Sequence, residues 1–171
     1  MERADRIAVK GRLVGGLVAK LEAELANMRR AAKDAREAAT HEEAKPENDK
    51  DTRALEASYL AGAQAARVRE LEGSIKLANA MAIVSYEGKA IQAAAVVTLE
   101  DDDDVRSVFF VAPVGGGYQL AEGDLEAQVV TPTSPLGRAL LGKTQGDVIE
   151  MRSQTLRGPG PLREMTIVDV W

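Results

Sequence analysis

Residues 14–39, VGGLVAKLEAELANMRRAAKDAREAA, carry apolar side chains at Val14, Val18, Leu21, Leu25, Met28, Ala32, Ala35 and Ala39. The steps alternate between four and three, a heptad seam sustained for more than three repeats. Such a seam specifies one long helix, expected over residues 8 to 42, that packs against another helix. The seam narrows outward from Val and Leu to Ala, so the two helices approach closely toward the far end.

The polar run from His41 to Asp51 ends this pattern. Pro46 cannot continue a helix from before it but suits the first turn of a new one. Acidic residues in that turn suit the positive end of the helix dipole. A second helix is therefore expected from about Pro46 to Met81, with Val68, Leu71, Ile75 and Ala78 on its own 3-4 seam. Two helices of similar length joined by a short polar turn make an antiparallel helical hairpin.

Beyond residue 81 the pattern changes from helical to strand-like. Residues 93–99 and 105–111 read as strands around the acidic run Glu100 to Asp104, with Gly115-Gly116-Gly117 as a turn. Further short strands are expected at 129–131, 148–151 and 165–170, with a short helix over Leu136–Leu141 stopped by Gly142. The Gly158-Pro159-Gly160-Pro161 stretch reads as a loop between the last two strands. The expected architecture is α+β: a coiled-coil hairpin over 1–81, then a small antiparallel β domain with one short helix over 82–171.

Composition narrows the function classes. The 171 residues are 45% apolar but only 4% aromatic, so the core is aliphatic, and the absence of cysteine excludes disulfides, thiol catalysis and sulfur-ligated zinc. No charged-then-apolar leader and no membrane-length apolar run stands out, which leads to the expectation of a cytoplasmic protein with no membrane partner. The net charge of −5 is uneven: residues 1–81 hold 15 basic against 14 acidic side chains, and residues 82–171 hold 7 against 13. An acidic total argues against general nucleic-acid coating but leaves room for a local basic stripe within a larger complex. Arg29, Lys33 and Arg36 form such a stripe at i, i+4 and i+7. It reads equally as a phosphate-contacting face or as a solvated face paired with Asp34 and Glu37. No P-loop, dinucleotide fingerprint or nucleophile motif is present.

The segment Ser134-Pro135-Leu136-Gly137-Arg138-Ala139-Leu140-Leu141-Gly142-Lys143-Thr144-Gln145-Gly146-Asp147-Val148 is a Ser N-cap, a Pro at the first helical position, a Gly stop and a Gly-Asp turn into a strand. As a gapless string it resembles the signature of the Gre transcript-cleavage factors of RNA polymerase. The order of parts is similar too, a coiled-coil hairpin before an FKBP-like β domain. The resemblance implies RNA polymerase as partner, with the β domain docking at the rim of the secondary channel through Ser134, Pro135 and Leu136. It implies that the hairpin reaches the polymerase active site, where Arg29, Lys33 and Arg36 contact the channel or the RNA 3′ end. Tip carboxylates, here Glu43, Glu47 and Asp49, would help hold a Mg²⁺ shared with the polymerase and not bound stably alone, so the chain is an accessory factor with no catalytic residue of its own, expected to act as a monomer. Mg²⁺ needs hard oxygen ligands and takes only one or two carboxylates from such a site.

The family tip usually reads Asp-x-x-Glu-Asn, and this chain departs from it. Matching Glu47-Asn48 to the family's Glu-Asn puts Ala44 where the other acid belongs, and matching from the far end of the second helix gives Glu47 and Lys50. Some relatives with altered tips inhibit transcription instead of stimulating cleavage, so both outcomes stay open. Two other classes compete: a chaperone-like module gripping a partner with its hairpin, and a prolyl isomerase suggested by the FKBP-like domain. The latter needs an aromatic-lined pocket, and the second half offers only Tyr86, Phe109, Phe110, Tyr118 and Trp171. Phe109 and Phe110 point to opposite faces of a strand.

Overall fold

The computed structural model describes residues 2–40, 52–155 and 158–171. Two helices, α1 (Arg3–Thr40) and α2 (Thr52–Asn79), precede a six-stranded sheet. Its strands are β1 (Val96–Asp101), β2 (Arg106–Val111), β3 (Gln119–Glu122), β4 (Leu125–Val130), β5 (Val148–Thr155) and β6 (Gly158–Val170), with helix α3 (Pro135–Leu140) between β4 and β5. The expected start of the second helix near Pro46 lies outside the described residues. The chain falls into two compact units, one of Met1–Leu17 with Leu77–Trp171 and one of Val18–Lys76. Where the sequence suggests a division near residue 81, these units also divide α1 itself, between Leu17 and Val18.

In the unit Val18–Lys76 the heptad seam is partly realised. Leu21, Leu25 and Leu71 are buried, while Met28, Ala32, Val68 and Ile75 are half-buried and Ala35 is exposed. Arg67 donates to both Glu24 and Glu70, at 2.9 and 2.8 Å, and Arg29 pairs with Glu72. Glu24 precedes the end of α1 by roughly as many residues as Arg67 follows the start of α2, as an antiparallel pair requires at equal rise per residue, while Arg29 and Glu72 meet off that register. Exposed ion pairs of this kind add little stability.

In the other unit the strand order is β3-β4-β2-β1-β6-β5. All neighbours run antiparallel except β2 and β4, which pair in parallel through Phe109–Val111 and Gln128–Val130. The sheet is thus mainly antiparallel, as expected, with one parallel pair. The hairpin β3–β4 reverses the chain once more before β4 reaches β2, and this sets the parallel direction.

The first four turns of α1 cross this sheet. Arg6 grips Asp169 of β6 with two hydrogen bonds of 3.2 and 3.0 Å. One turn and a half later Arg12 pairs with Glu122 of β3, and Gly16 lies against Leu120. Ten residues of helix span about 15 Å, and the four strand steps from β6 to β3 span about 19 Å, so side-chain reach closes the difference. Leu13 and Leu17 are buried beneath this helix, together with Val96, Val97, Phe110, Val111 and Ile167 elsewhere in the core. Gly115, at φ +76°, belongs to the turn under Leu17, and a Cβ there would run into the Leu17 side chain.

Local chemistry explains the strands that the sequence hides. The Gly158–Pro161 stretch, expected as a loop, opens β6. β1 pairs with β6 only from Met165 onward, so this stretch pairs with β5 alone, and a register shift falls beside it between Arg152 and Gln154, the kind of irregular edge where proline is tolerated. The acidic run from Glu100 is a hairpin turn. The Asp101 carboxylate accepts from the backbone N–H groups of Asp103 and Val105 at 3.0 and 2.9 Å, and Asp104 takes the left-handed conformation at φ 59°. Among the described residues no group of three potential metal ligands occurs.

Helix α3 begins as the sequence reads. Ser134 Oγ accepts from Gly137 N at 3.0 Å and donates to the Thr131 carbonyl at 2.7 Å, with Pro135 at the first helical position. Gly137 lies against the Thr131 backbone, and a Cβ there would fall 2.7 Å from the Thr131 carbonyl carbon. Backbone cannot step aside as a flexible side chain can. Gly137→Ala is therefore expected to cost roughly 2–3 kcal/mol through overpacking. Ser134→Ala, which loses only a cap, is expected to cost about 1 kcal/mol. Urea unfolding followed by the fluorescence of Trp171, the sole tryptophan, checks both, and an equal effect of the two substitutions would contradict this packing.

Candidate functional site: the Ser134–Val148 segment and the hairpin

Residues 134–148 carry exposed side chains on buried supports. Leu140 is fully buried, and Ile149, just past the segment, is 4% exposed. The chain is stitched to its surroundings by backbone bonds. Ile91 N donates to Lys143 O at 2.8 Å and Gly142 N to Ile91 O at 3.0 Å, while Gly146 N donates to Ile167 O at 2.8 Å. Between these stitches the Asp147 carboxylate accepts from Thr144 N at 2.8 Å and from its hydroxyl at 3.2 Å. Those bonds, led by the backbone N–H, hold the Asp147 carboxyl below the usual carboxylate range. Gln145 Nε2 donates to Val168 O at 2.8 Å, and Arg138 donates to the Thr133 carbonyl.

On this scaffold Leu141 and Val148 are exposed, Pro135 is exposed and Leu136 is half-buried. Of the three docking residues suggested by the sequence, Pro135 and Leu136 offer apolar surface. The Ser134 hydroxyl already makes two local hydrogen bonds, so its first task is to hold α3. Leu141 and Val148 are additions that the motif does not single out. Leu141 follows the buried Leu140 and Val148 precedes the buried Ile149, and only their exposure marks them.

The hairpin residues divide differently. Glu43, Glu47 and Asp49 lie outside the described residues. Arg29 is engaged with Glu72, and Lys33 approaches Glu37 at 3.6 Å within the same helix. Arg36 lies in α1. Two members of the basic stripe are therefore part of an exposed ion-pair network. Tyr59 and Leu60 on α2 are exposed apolar residues of the same unit. Among the described residues no helix is long and apolar enough to cross a membrane. Of the aromatic residues weighed for an isomerase pocket, Phe110 is buried in the core while Tyr86 and Trp171 flank Lys10.

Residues 87–171 match the family described as transcription elongation factor, GreA/GreB, C-term. Among curated relatives, a transcription elongation factor GreA of Alkalilimnicola ehrlichii is 37% identical over 111 residues, covering 61% of this chain and 60% of the relative. One of Jannaschia sp. is 36% identical over 104 residues, with the same coverage. The chain thus spans 60% of the length of these relatives in the matched region. A solved structure of the transcription factor Gfh1 covers 91% of this chain and 93% of its own at 23% identity, with a TM-score of 0.38, too loose a superposition to bear on the argument. The sequence matches alone suffice: through residues 87–171, its C-terminal half, this chain belongs to the GreA/GreB family.

Proposed function

We propose that the protein is a transcription elongation factor that binds RNA polymerase, docking through the Pro135, Leu136, Leu141 and Val148 surface and placing its helical hairpin in the secondary channel. The family match over residues 87–171 carries this reading, and the name of the curated relatives, transcription elongation factor GreA, agrees with it. The exposed apolar side chains stand on stitched backbone, which suits a docking surface that does not rearrange on binding.

At the tip, Glu43, Glu47 and Asp49 supply hard carboxylate oxygens, the donor type a Mg²⁺ ion takes. They would hold such an ion together with carboxylates of the polymerase. When bound, the ion polarises phosphate oxygens and activates water for RNA cleavage. The contribution of this chain is to present carboxylates on paired helices that the Glu24–Arg67 and Arg29–Glu72 ion pairs bridge. Arg29 and Lys33 reach RNA phosphates only by exchanging their present partners, a small cost for exposed pairs. The absence of an Asp-x-x-Glu-Asn string favours a second reading, a factor that occupies the channel and inhibits without cleavage.

Purified, deliberately backtracked polymerase complexes distinguish the two. The wild type is expected to bind and to stimulate transcript cleavage at least ten-fold over the polymerase alone. A Glu43/Glu47/Asp49 triple alanine variant is expected to bind equally and to lose the stimulation. Binding without cleavage by the wild type selects the inhibitor reading. No binding by the wild type refutes both and promotes a chaperone-like use of the hairpin. Leu141→Asp with Val148→Asp is expected to weaken binding at least ten-fold while leaving the urea midpoint within experimental error, because both side chains are exposed.

A further inference from the structure

A lysine is buried where α1 crosses the sheet. Lys10 is 1% exposed. Its Nζ donates to the Val84 carbonyl at 2.8 Å and stands 4.7 Å from the centre of the Tyr86 ring and 5.8 Å from that of Trp171. The charged and titratable groups around it are Arg6 one turn earlier on α1, Tyr86 and Glu87 in the segment after α2, and Asp169 on β6. Arg6 already holds both acids, Asp169 through two bonds and Glu87 at 3.5 Å, and lies 5.5 Å from Trp171. Among the described residues no carboxylate comes within ion-pair distance of Lys10. An ammonium has three N–H donors to satisfy, and the structure offers this one a single carbonyl and two ring faces.

We propose that the root of α1 is a protonation-sensitive latch, seated on the sheet when Lys10 is a neutral amine and eased toward lifting off when Lys10 is an ammonium. The moving part is residues 3–17 of this chain, and the trigger is a proton. A buried ammonium regains its hydration only if the helix root leaves the Tyr86 and Trp171 faces. Ring attraction and the Val84 bond hold the charged form in part. Desolvation outweighs them and brings the Lys10 pKa from 10.5 to about 8, against the pull of Glu87 and with the push of Arg6.

The sign follows from proton counting. Once lifted, Lys10 regains its ordinary affinity for protons, so between about 8 and 10.5 the lifted state binds more protons than the seated one. Seating therefore strengthens as pH rises through that window, and below about 8 the cost of the charge is fully present. This inference concerns one compact unit and does not rest on the polymerase reading.

Two measurements on the full chain test it. The emission of Trp171 is expected to titrate with a midpoint near 8. Trypsin cleavage after Arg12, normalised to an unstructured peptide of the same sequence, is expected to slow roughly ten-fold from pH 7 to 9. Lys10→Met is expected to remove both dependences and to resist cleavage at pH 7 as the wild type does at pH 9. Should that variant fail to fold, Glu87→Gln serves instead. Its side chain is 42% exposed, and losing its charge is expected to move the Trp171 midpoint lower. A cleavage ratio that does not change with pH, the same pH dependence in Lys10→Met, or an unmoved midpoint in Glu87→Gln would each overturn the latch.

Discussion

One helix serving two partners is the constraint on which this chain is built. The apolar stripe Leu13, Leu17, Leu21 and Leu25 repeats every four residues, and all four are buried. At about 100° per residue a four-residue step overshoots a full turn by about 40°. The early members of the stripe belong to the unit that holds the sheet and its late members to the unit that holds α2. A strict 3-4 seam would keep facing one partner. One helix thus contributes buried leucines to each of the two compact units.

Charge follows the same division. The second half of the chain carries 7 basic against 13 acidic side chains, and the root of α1 answers part of that excess. Arg6 meets Asp169 and Glu87, and Arg12 meets Glu122. These contacts fall at opposite sides of the sheet, on β6 and β3, so they fix the direction in which the helix crosses as well as adding attraction. Lys10 lies between them with neutral partners only. Had an acid been placed opposite it, the root would be a fully paired ionic seam. Its absence makes the seam sensitive to a proton.

Most of the architecture is legible in the sequence because it rests on periodicity. The helical pair follows from the spacing of Leu21, Leu25 and Leu71, and α3 follows from Ser134, Pro135 and Gly142. What escapes has a physical reason in each instance. The seam reading begins at Val14, yet Leu13 and Leu17 are the buried residues there, because below residue 18 the helix faces a sheet that periodicity alone does not announce. β3 escapes because four residues, Gln119 to Glu122, with one buried side chain are too short to stand out. The Gly123-Asp124 pair after it, with Gly123 at φ 58°, is the hairpin signal that could have found it. Glycine and proline at 158–161 normally break strands, and here they stand in the part of β6 that pairs with β5 alone, beside a register shift. Lys10 gives no sign of burial until it is counted back from Leu17 and Leu13 along the same face.

The Ser134–Val148 string shows why a motif locates a site better than it assigns roles. Its most diagnostic residues are architectural: Ser134 caps, Gly137 admits the Thr131 backbone, and Asp147 closes the Thr144 turn. Geometry narrows the choice at such positions: a short capping side chain at 134, no side chain at 137, and an acceptor for the Thr144 N–H at 147. A partner meets what that geometry holds outward, and here this is Pro135, Leu136, Leu141 and Val148, aliphatic side chains whose identity the backbone does not dictate. Recognition of a partner and recognition of the family thus draw on different atoms of one segment. A substitution at Ser134 or Gly137 would disturb binding by moving the surface, whereas one at Leu141 or Val148 would change the surface and leave its support in place.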